Sequence, residues 1–138
     1  MIEIIGKVIH GDHYGSKIGY PTVNLDRRQY NRKNLNVKFG VWAGEAKLKV
    51  KSGSNFAKAT SDKKLKVYRG AIVIGPIDKT GKPKIEAHLL SFKGNLYGKK
   101  ITLALIKYLR PFKKFKNEQE LKLQIKKDIN KIKFLNLK

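Results

Sequence analysis

Three glycines recur at every fourth position of the segment 11–19, and the sequence Pro-Thr-Val-Asn follows at residues 21–24. Glycine lets the backbone take positive φ angles and approach a bound group, and the exposed amides of such a turn form a concave anion site. Thr22 and Asn24 are two residues apart, so both side chains lie on one face of an extended segment. Their oxygen atoms are ligands of the kind that a magnesium–phosphate unit needs. The segment therefore predicts a nucleotide-binding site.

This pattern is neither of the two common phosphate-binding motifs, because it lacks G-K-[ST] and does not read G-x-G-x-x-G. A purely structural interpretation stays open as well. Proline, threonine and asparagine are frequent turn formers, so the same residues are compatible with an ordinary turn.

Glu86 is the second candidate for chemistry. It alternates with apolar residues in the segment 84–92, which predicts a strand with Glu86 and His88 on one face. A carboxylate there can accept the proton of an attacking hydroxyl group as a general base. The alternative is a surface carboxylate paired with a lysine such as Lys84. We expect His88 to be a packed strand residue that orients Glu86, and the three histidines are too dispersed to predict a metal site.

Alternating apolar residues predict the elements that position these side chains. Strands are expected over residues 1–9, 21–25, 39–51, 65–74, 84–92 and 99–109. The alternation changes phase near Gly44, which suggests a bulge. Because no helical pattern separates these strands, they predict an antiparallel sheet, sandwich or barrel.

The last segment has a helical pattern. Asn117 is a plausible N-cap with Glu120 at the third helical position, as in a capping box. Leu121, Ile125 and Ile129 recur every four residues, followed by Ile132 or Lys133. This spacing predicts an amphipathic helix over residues 118–133.

Composition limits the class of protein. The chain has 138 residues and a formal net charge of +22, and 27 of its 32 basic residues are lysines scattered through every segment. This diffuse pattern favours a solvated lysine surface whose field attracts anionic substrates, and it argues against a nucleic acid as the partner. The chain contains no cysteine, no long apolar run and no secretory leader pattern, so we expect a cytoplasmic protein without a membrane partner.

The glycine segment resembles the signature of the riboflavin kinase family, G-x-x-x-G-x-x-x-G-[FIY]-P-T-x-N. Further matches follow in the family's order at residues 39–42, 68–75, 85–90, 96–99 and 108–111, and at Phe115, Leu121, Ile125, Asp128 and Ile129. The resemblance therefore covers nearly the whole chain.

The resemblance implies a mainly β fold, a six-stranded antiparallel Greek-key barrel with the C-terminal helix packed outside, and a single domain over residues 1–138. It implies transfer of the γ-phosphoryl group of ATP to the 5′-hydroxyl of riboflavin with Mg²⁺, giving FMN and ADP. A monomer is expected. Because no adenylyltransferase domain precedes this one, we expect the reaction to stop at FMN.

The same resemblance implies the site residues. Glu86 would be the base, and Thr22 and Asn24 would hold the metal and the phosphate. The remaining implied nucleotide and substrate contacts are Gly11, Gly15, Ser16, Lys17, Gly19, Pro21, Arg110 and Phe115. For Phe115, the alternative is an anchor between the helix and the barrel.

Two other functions stay open on the sequence. A basic small barrel can bind single-stranded nucleic acid through aromatic side chains in a charged groove. A flavin-binding relative that has lost catalysis would also keep most of the matched residues.

Overall fold

The computed structural model describes residues 2–10, 19–26, 37–51, 63–77, 79, 81–92 and 94–135. These contain six strands and one helix: β1 (Ile2–Ile9), β2 (Val23–Leu25), β3 (Gly40–Lys51), β4 (Lys63–Ile77), β5 (Pro83–Leu89), β6 (Lys100–Arg110) and α1 (Glu118–Phe134).

The strands close into a barrel in the order β1–β2–β5–β4–β3–β6. Every neighbouring pair is antiparallel, including β2 with β5 and β1 with β6, which are far apart in sequence. The predicted six-stranded antiparallel barrel with a C-terminal helix is therefore confirmed. Within the described residues, no helix has the length and apolar character needed to cross a membrane.

Branched aliphatic side chains fill the inside of the barrel. The largest side chains with almost no exposed surface there are Ile4, Leu25, Ile72, Ile74, Ile85, Ile101 and Leu103. They come from five of the six strands at alternate positions, because successive side chains of a strand point to opposite faces. The interior is thus a packed core.

A second apolar cluster lies outside the barrel, beneath α1. Ile132 of the helix packs there with Val41 and Ala43 of β3 and Ala71 of β4. Ala46 and Leu48, further along β3, belong to the interior core instead. The change of phase in β3 therefore arises because two different apolar environments cover its two ends.

A register shift does occur near Gly44, but β3 itself stays regular. Its pairing with β4 is continuous, whereas its pairing with β6 shifts between Ala43 and Gly44, where Ile106 is the additional residue on β6. A Cβ atom at Gly44 would overlap the carbonyl oxygen of Ala104 and lie 2.7 Å from Ile72 Cδ1. Glycine is therefore required where β3 and β6 approach each other.

Both ends of α1 are held by hydrogen bonds. The side chain of Asn117 accepts from the amide of Glu120 at 2.9 Å, which confirms the predicted N-cap. The Glu120 carboxylate accepts from the amide of Lys116 at 3.0 Å, one residue before the cap. At the other end, Arg69 Nη1 of β4 donates to the carbonyl of Leu135 at 3.0 Å. The helix is thus tied to the barrel at its C-terminus.

The predicted boundaries differ most from the structure at two strands. β5 ends at Leu89, three residues before the expected end, because the chain turns at Leu90 and Ser91, whose φ is +63°. β4 extends beyond its expected limits of 65 and 74 at both ends, to Lys63 and Ile77. Pairing with β3 extends the strand back to Lys63, and pairing of Ile77 with Pro83 of β5 extends it forward.

Replacing Ile132 with alanine tests the second apolar cluster. Ile132 has no exposed surface, so the cavity should lower the free energy of unfolding by about 2–4 kcal/mol. Leu123→Ala is the matched control, since Leu123 on the same helix is 61% exposed and should change stability by less than about 0.5 kcal/mol. Urea unfolding of the two variants measures both values, and equal losses would contradict the assignment of Ile132 to a buried interface.

Candidate functional site

A cavity of about 280 Å³ lies between α1 and the outer face of the barrel, next to the second apolar cluster. Side chains of β3, β4 and β5 form its floor, and α1 forms the opposite wall. The connection from β6 to the helix, residues 111–117, passes beside it. The cavity is therefore built between elements rather than inside the barrel.

Much of the lining is apolar. The floor carries Val41, Ala71 and Val73, and the wall carries Leu121 and Ile125 of α1, while Phe112 and Phe115 of the connection complete the apolar surface. Such a lining suits a flat apolar ring held by van der Waals contact. Phe115 lines the cavity together with residues of α1. Its position is therefore compatible with both predicted roles, a ligand contact and an anchor between the helix and the barrel.

Glu86 supplies the carboxylate of the cavity. It projects from the outer face of β5 because its neighbours Ile85 and Ala87 face the barrel interior. Its Oε1 atom lies 4.0 Å from Lys84 Nζ, so the contact expected of a surface carboxylate is present too. The Glu86 side chain keeps 24% of its surface exposed. It can therefore form this ion contact and still face the cavity.

Thr22 lines the same cavity as Glu86. The adjacency results from β2, which pairs with β5 so that Asn24 lies directly opposite Glu86. Directly opposed residues of an antiparallel pair share a face of the sheet, which places Asn24 beside Glu86 on the outer face. Asn24 is not among the residues that line the cavity, so of the threonine–asparagine pair only Thr22 borders it.

The segment before Thr22 contacts β5 through side chains. The Nδ1 atom of His88 lies 2.7 Å from the carbonyl oxygen of Pro21, and the rings of Tyr20 and His88 meet edge to face with centroids 5.6 Å apart. The described contact of His88 is thus with Pro21, whereas the sequence suggested that His88 orients Glu86. Tyr20 and His88 also line the cavity.

The buried carboxylate of Asp128 and the partly buried guanidinium of Arg110 form an ion pair at the edge of the cavity. Arg110 Nε donates to both carboxylate oxygens of Asp128 at 3.1 Å, and Nη2 donates to Oδ2 at 2.8 Å. Gln124 Nε2 donates to the same carboxylate at 3.0 Å. Because Arg110 ends β6 and Asp128 lies on α1, the pair fixes the helix relative to the barrel.

The structure brings four of the predicted site residues around one cavity, namely Thr22, Glu86, Arg110 and Phe115. Asn24 lies opposite Glu86, and Pro21 contacts a lining residue, while Gly19 is exposed with a φ of +90°. Gly11, Gly15, Ser16 and Lys17 lie outside the described residues.

Asp128 and Tyr20 are among the lining residues that the predicted set did not contain. Asp128 has only 3% of its surface exposed, although it is one of ten acidic residues in a strongly basic chain. Its position between Ile125 and Ile132 on the apolar face of the helix is a signal that sequence analysis can detect. Tyr20 carried no such signal, because it lies in a loop and loop residues follow no periodicity.

The oxygen donors near β2 fit a cation that is held mainly by a substrate. In the described part of the chain, no group of three or more His, Cys, Asp or Glu side chains could hold a metal ion. Magnesium often takes one or two protein ligands and completes its shell with phosphate oxygens and water. Thr22, just before β2, and Asn24, on β2, offer a hydroxyl and an amide oxygen, which suits such a partial shell.

Comparison with known proteins identifies one family. The family model described as "Flavokinase: Riboflavin kinase" matches residues 1–135. A riboflavin kinase from Mus musculus is 31% identical over 132 residues, which cover 93% of this chain and 76% of that protein.

A second relative is longer than this chain. A bifunctional riboflavin kinase/FMN adenylyltransferase from Buchnera aphidicola subsp. Schizaphis graminum is 36% identical over 140 residues, 98% of this chain and 39% of that protein. The chain thus spans less than two fifths of the length of the first bifunctional relatives it matches. Among solved structures, riboflavin kinase from Trypanosoma brucei shares the fold, with a TM-score of 0.67, 22% identity and coverage of 95% of this chain and 76% of that one.

Replacing Asp128 with asparagine tests the buried ion pair. The change leaves the Arg110 guanidinium without its anion, so the free energy of unfolding should fall by about 3 kcal/mol. Glu3→Gln is the control, because Glu3 and Lys47 form an exposed pair at 3.2 Å whose loss should cost less than about 1 kcal/mol. Urea unfolding measures both, and a loss at Asp128 no larger than at Glu3 would show that the pair does not hold the helix.

Proposed function

Because this chain belongs to the riboflavin kinase family, we propose that it transfers the γ-phosphoryl group of ATP to the 5′-hydroxyl of riboflavin, giving FMN and ADP. The observation that carries this proposal is the cavity outside the barrel, where Glu86 and Thr22 border an apolar, aromatic lining. Riboflavin carries both a flat ring system and the hydroxyl group that accepts the phosphoryl group. It therefore needs an apolar surface and polar side chains next to each other.

We place the ring system of riboflavin against the apolar part of the cavity. Val73 of the floor, Leu121 of the helix and Phe112 and Phe115 of the connection supply this surface. The ribityl chain would then extend toward Glu86 on β5. Arg110 has two of its five N–H groups directed at Asp128 through Nε and Nη2 and a third at the Pro111 carbonyl through Nη1, so it retains donors for the polar edge of the ring.

Glu86 acts in this proposal as the general base. The 5′-oxygen of riboflavin forms a bond to the γ-phosphorus, the bond between that phosphorus and the bridging oxygen of ADP breaks, and the hydroxyl proton passes to the Glu86 carboxylate. Phosphoryl transfer needs little covalent help beyond such positioning and charge stabilisation. The outward face of β5 supports the assignment, because it directs the carboxylate into the cavity rather than into the core.

Thr22 and Asn24 would hold Mg²⁺ together with the phosphate oxygens of ATP. When bound, the ion offsets part of the negative charge of the triphosphate. Gly11, Gly15, Ser16, Lys17 and Gly19, with Pro21, would contact the nucleotide through the loop before β2. The chain's positive field, with a net charge of +22, would raise the rate at which ATP arrives.

The remaining expectations belong to the same proposal. We take residues 1–138 as one riboflavin kinase domain, which is supported by the single closed barrel and by the family match over residues 1–135. A monomer stays a prediction, as does the cytoplasmic location, which rests partly on the absence of cysteine.

The first test is direct formation of FMN. Purified protein incubated with riboflavin, ATP and Mg²⁺ should produce FMN and ADP in equal amounts, because each transfer consumes one molecule of each substrate. Chromatography with fluorescence detection separates FMN from riboflavin. Absence of FMN with ATP and with other nucleoside triphosphates would reject the proposed activity.

Replacing Glu86 with glutamine tests the general base. Glutamine keeps the size of the side chain but cannot accept the proton, so kcat should fall by roughly 10²- to 10⁴-fold while riboflavin still binds. Steady-state kinetics give kcat, and quenching of riboflavin fluorescence gives the affinity. Glu3→Gln, which does not line the cavity, should retain wild-type turnover, and full activity in Glu86→Gln would remove the proposed role.

A further inference from the structure

His88 joins β5 to the segment that leads into Thr22. It lies on the same face of β5 as Glu86, two residues further along, and lines the same cavity. Its Nδ1 atom is 2.7 Å from the Pro21 carbonyl oxygen. Because a carbonyl oxygen can only accept a hydrogen bond, Nδ1 carries a proton in this contact.

Thr22 lies just outside the hydrogen-bonded ladder of the barrel. The pairing of β2 with β5 begins at Val23, which is opposite Ala87. Pro21, on the other side of Thr22, has no N–H group with which the ladder could continue. The His88 ring therefore adds a side-chain hydrogen bond, to the Pro21 carbonyl, at a point where the backbone ladder has stopped.

The orientation of the His88 ring is itself supported. Tyr20 meets the ring edge to face, with centroids 5.6 Å apart and an interplanar angle of 79°. Tyr20 also borders a groove with Gln119 and Lys122 of α1. The ring of His88 is thus packed against Tyr20, whose position lies beside the helix.

We infer that His88 is a positioning residue that, by holding the Pro21 carbonyl, sets the position of Thr22 relative to Glu86. The inference rests on the proposed function for the role of Thr22 toward the nucleotide, whereas the contact itself is independent of it. Its consequence is selective: the loss of the hydrogen bond weakens use of ATP more than it weakens binding of riboflavin.

Two substitutions separate the hydrogen bond from the bulk of the ring. Asparagine places an amide N–H near the position of Nδ1, whereas alanine offers no donor. His88→Ala should raise the KM for ATP roughly three- to tenfold, the effect of one hydrogen bond, and His88→Asn should restore most of it. Any effect of losing the ring on riboflavin affinity should appear equally in both variants. A KM for ATP that is the same in both variants would refute the inference.

Amide hydrogen exchange of residues 19–26 provides a readout that needs no turnover. Exchange in this segment should be faster in His88→Ala than in the wild-type protein, and close to wild type in His88→Asn. If the wild-type protein forms no FMN, the proposed function fails, and the exchange rates still decide the role of His88. Unchanged exchange in His88→Ala would overturn it.

A third variant covers the case in which His88→Ala does not fold. Glutamine places its amide near Nε2, too far out to reach the Pro21 carbonyl in the same way. His88→Gln should therefore show the raised KM and the faster exchange, with His88→Asn as its folded control. If glutamine and asparagine behave alike in both measurements, the Pro21 contact has no positioning role.

Discussion

The contact between α1 and the outer face of the barrel is the constraint on which the site depends. Six strands enclose an interior that is only wide enough for side chains, and Ile72, Ile74 and Leu103 fill it without exposed surface. A ligand site must therefore lie outside. It forms where the helix, anchored by Ile132 over β3 and β4, leaves a gap above the sheet. The same apolar patch that docks the helix continues as the floor of the cavity.

Polar contacts fix the geometry of that gap. Arg69 bonds the C-terminal carbonyls of α1, and Arg110 pairs with Asp128 near the middle of the helix. Arg110 is also the last residue of β6, so the ion pair holds the two elements that the connection over residues 111–117 must link. Because both ends of this connection are fixed, its residues Phe112 and Phe115 lie at the cavity. A buried pair of this kind needs both members, because either charge alone would be costly in the interior.

Strand alternation made part of this predictable. The sequence around Glu86 indicated which side chains of β5 face inward and which face outward, and the structure has that arrangement. The pattern in β3 was harder to interpret. Val41 and Ala43 are apolar because the helix covers them, whereas Ala46 and Leu48 are apolar because they face the interior. Local periodicity reports that a residue is buried but not which element buries it, so the change of phase suggested a bulge in β3 itself.

The sequence alone determined the alternating strands, the capped C-terminal helix and the outward position of Glu86, since each depends on residues close together in the chain. Only the tertiary structure decided that β2 lies beside β5, so that Thr22 borders the cavity and Asn24 lies opposite Glu86. It likewise decided that Asp128 meets Arg110. The reason is that barrel closure and helix docking join residues that are distant in sequence. Such contacts produce no periodic pattern in the sequence of either segment alone.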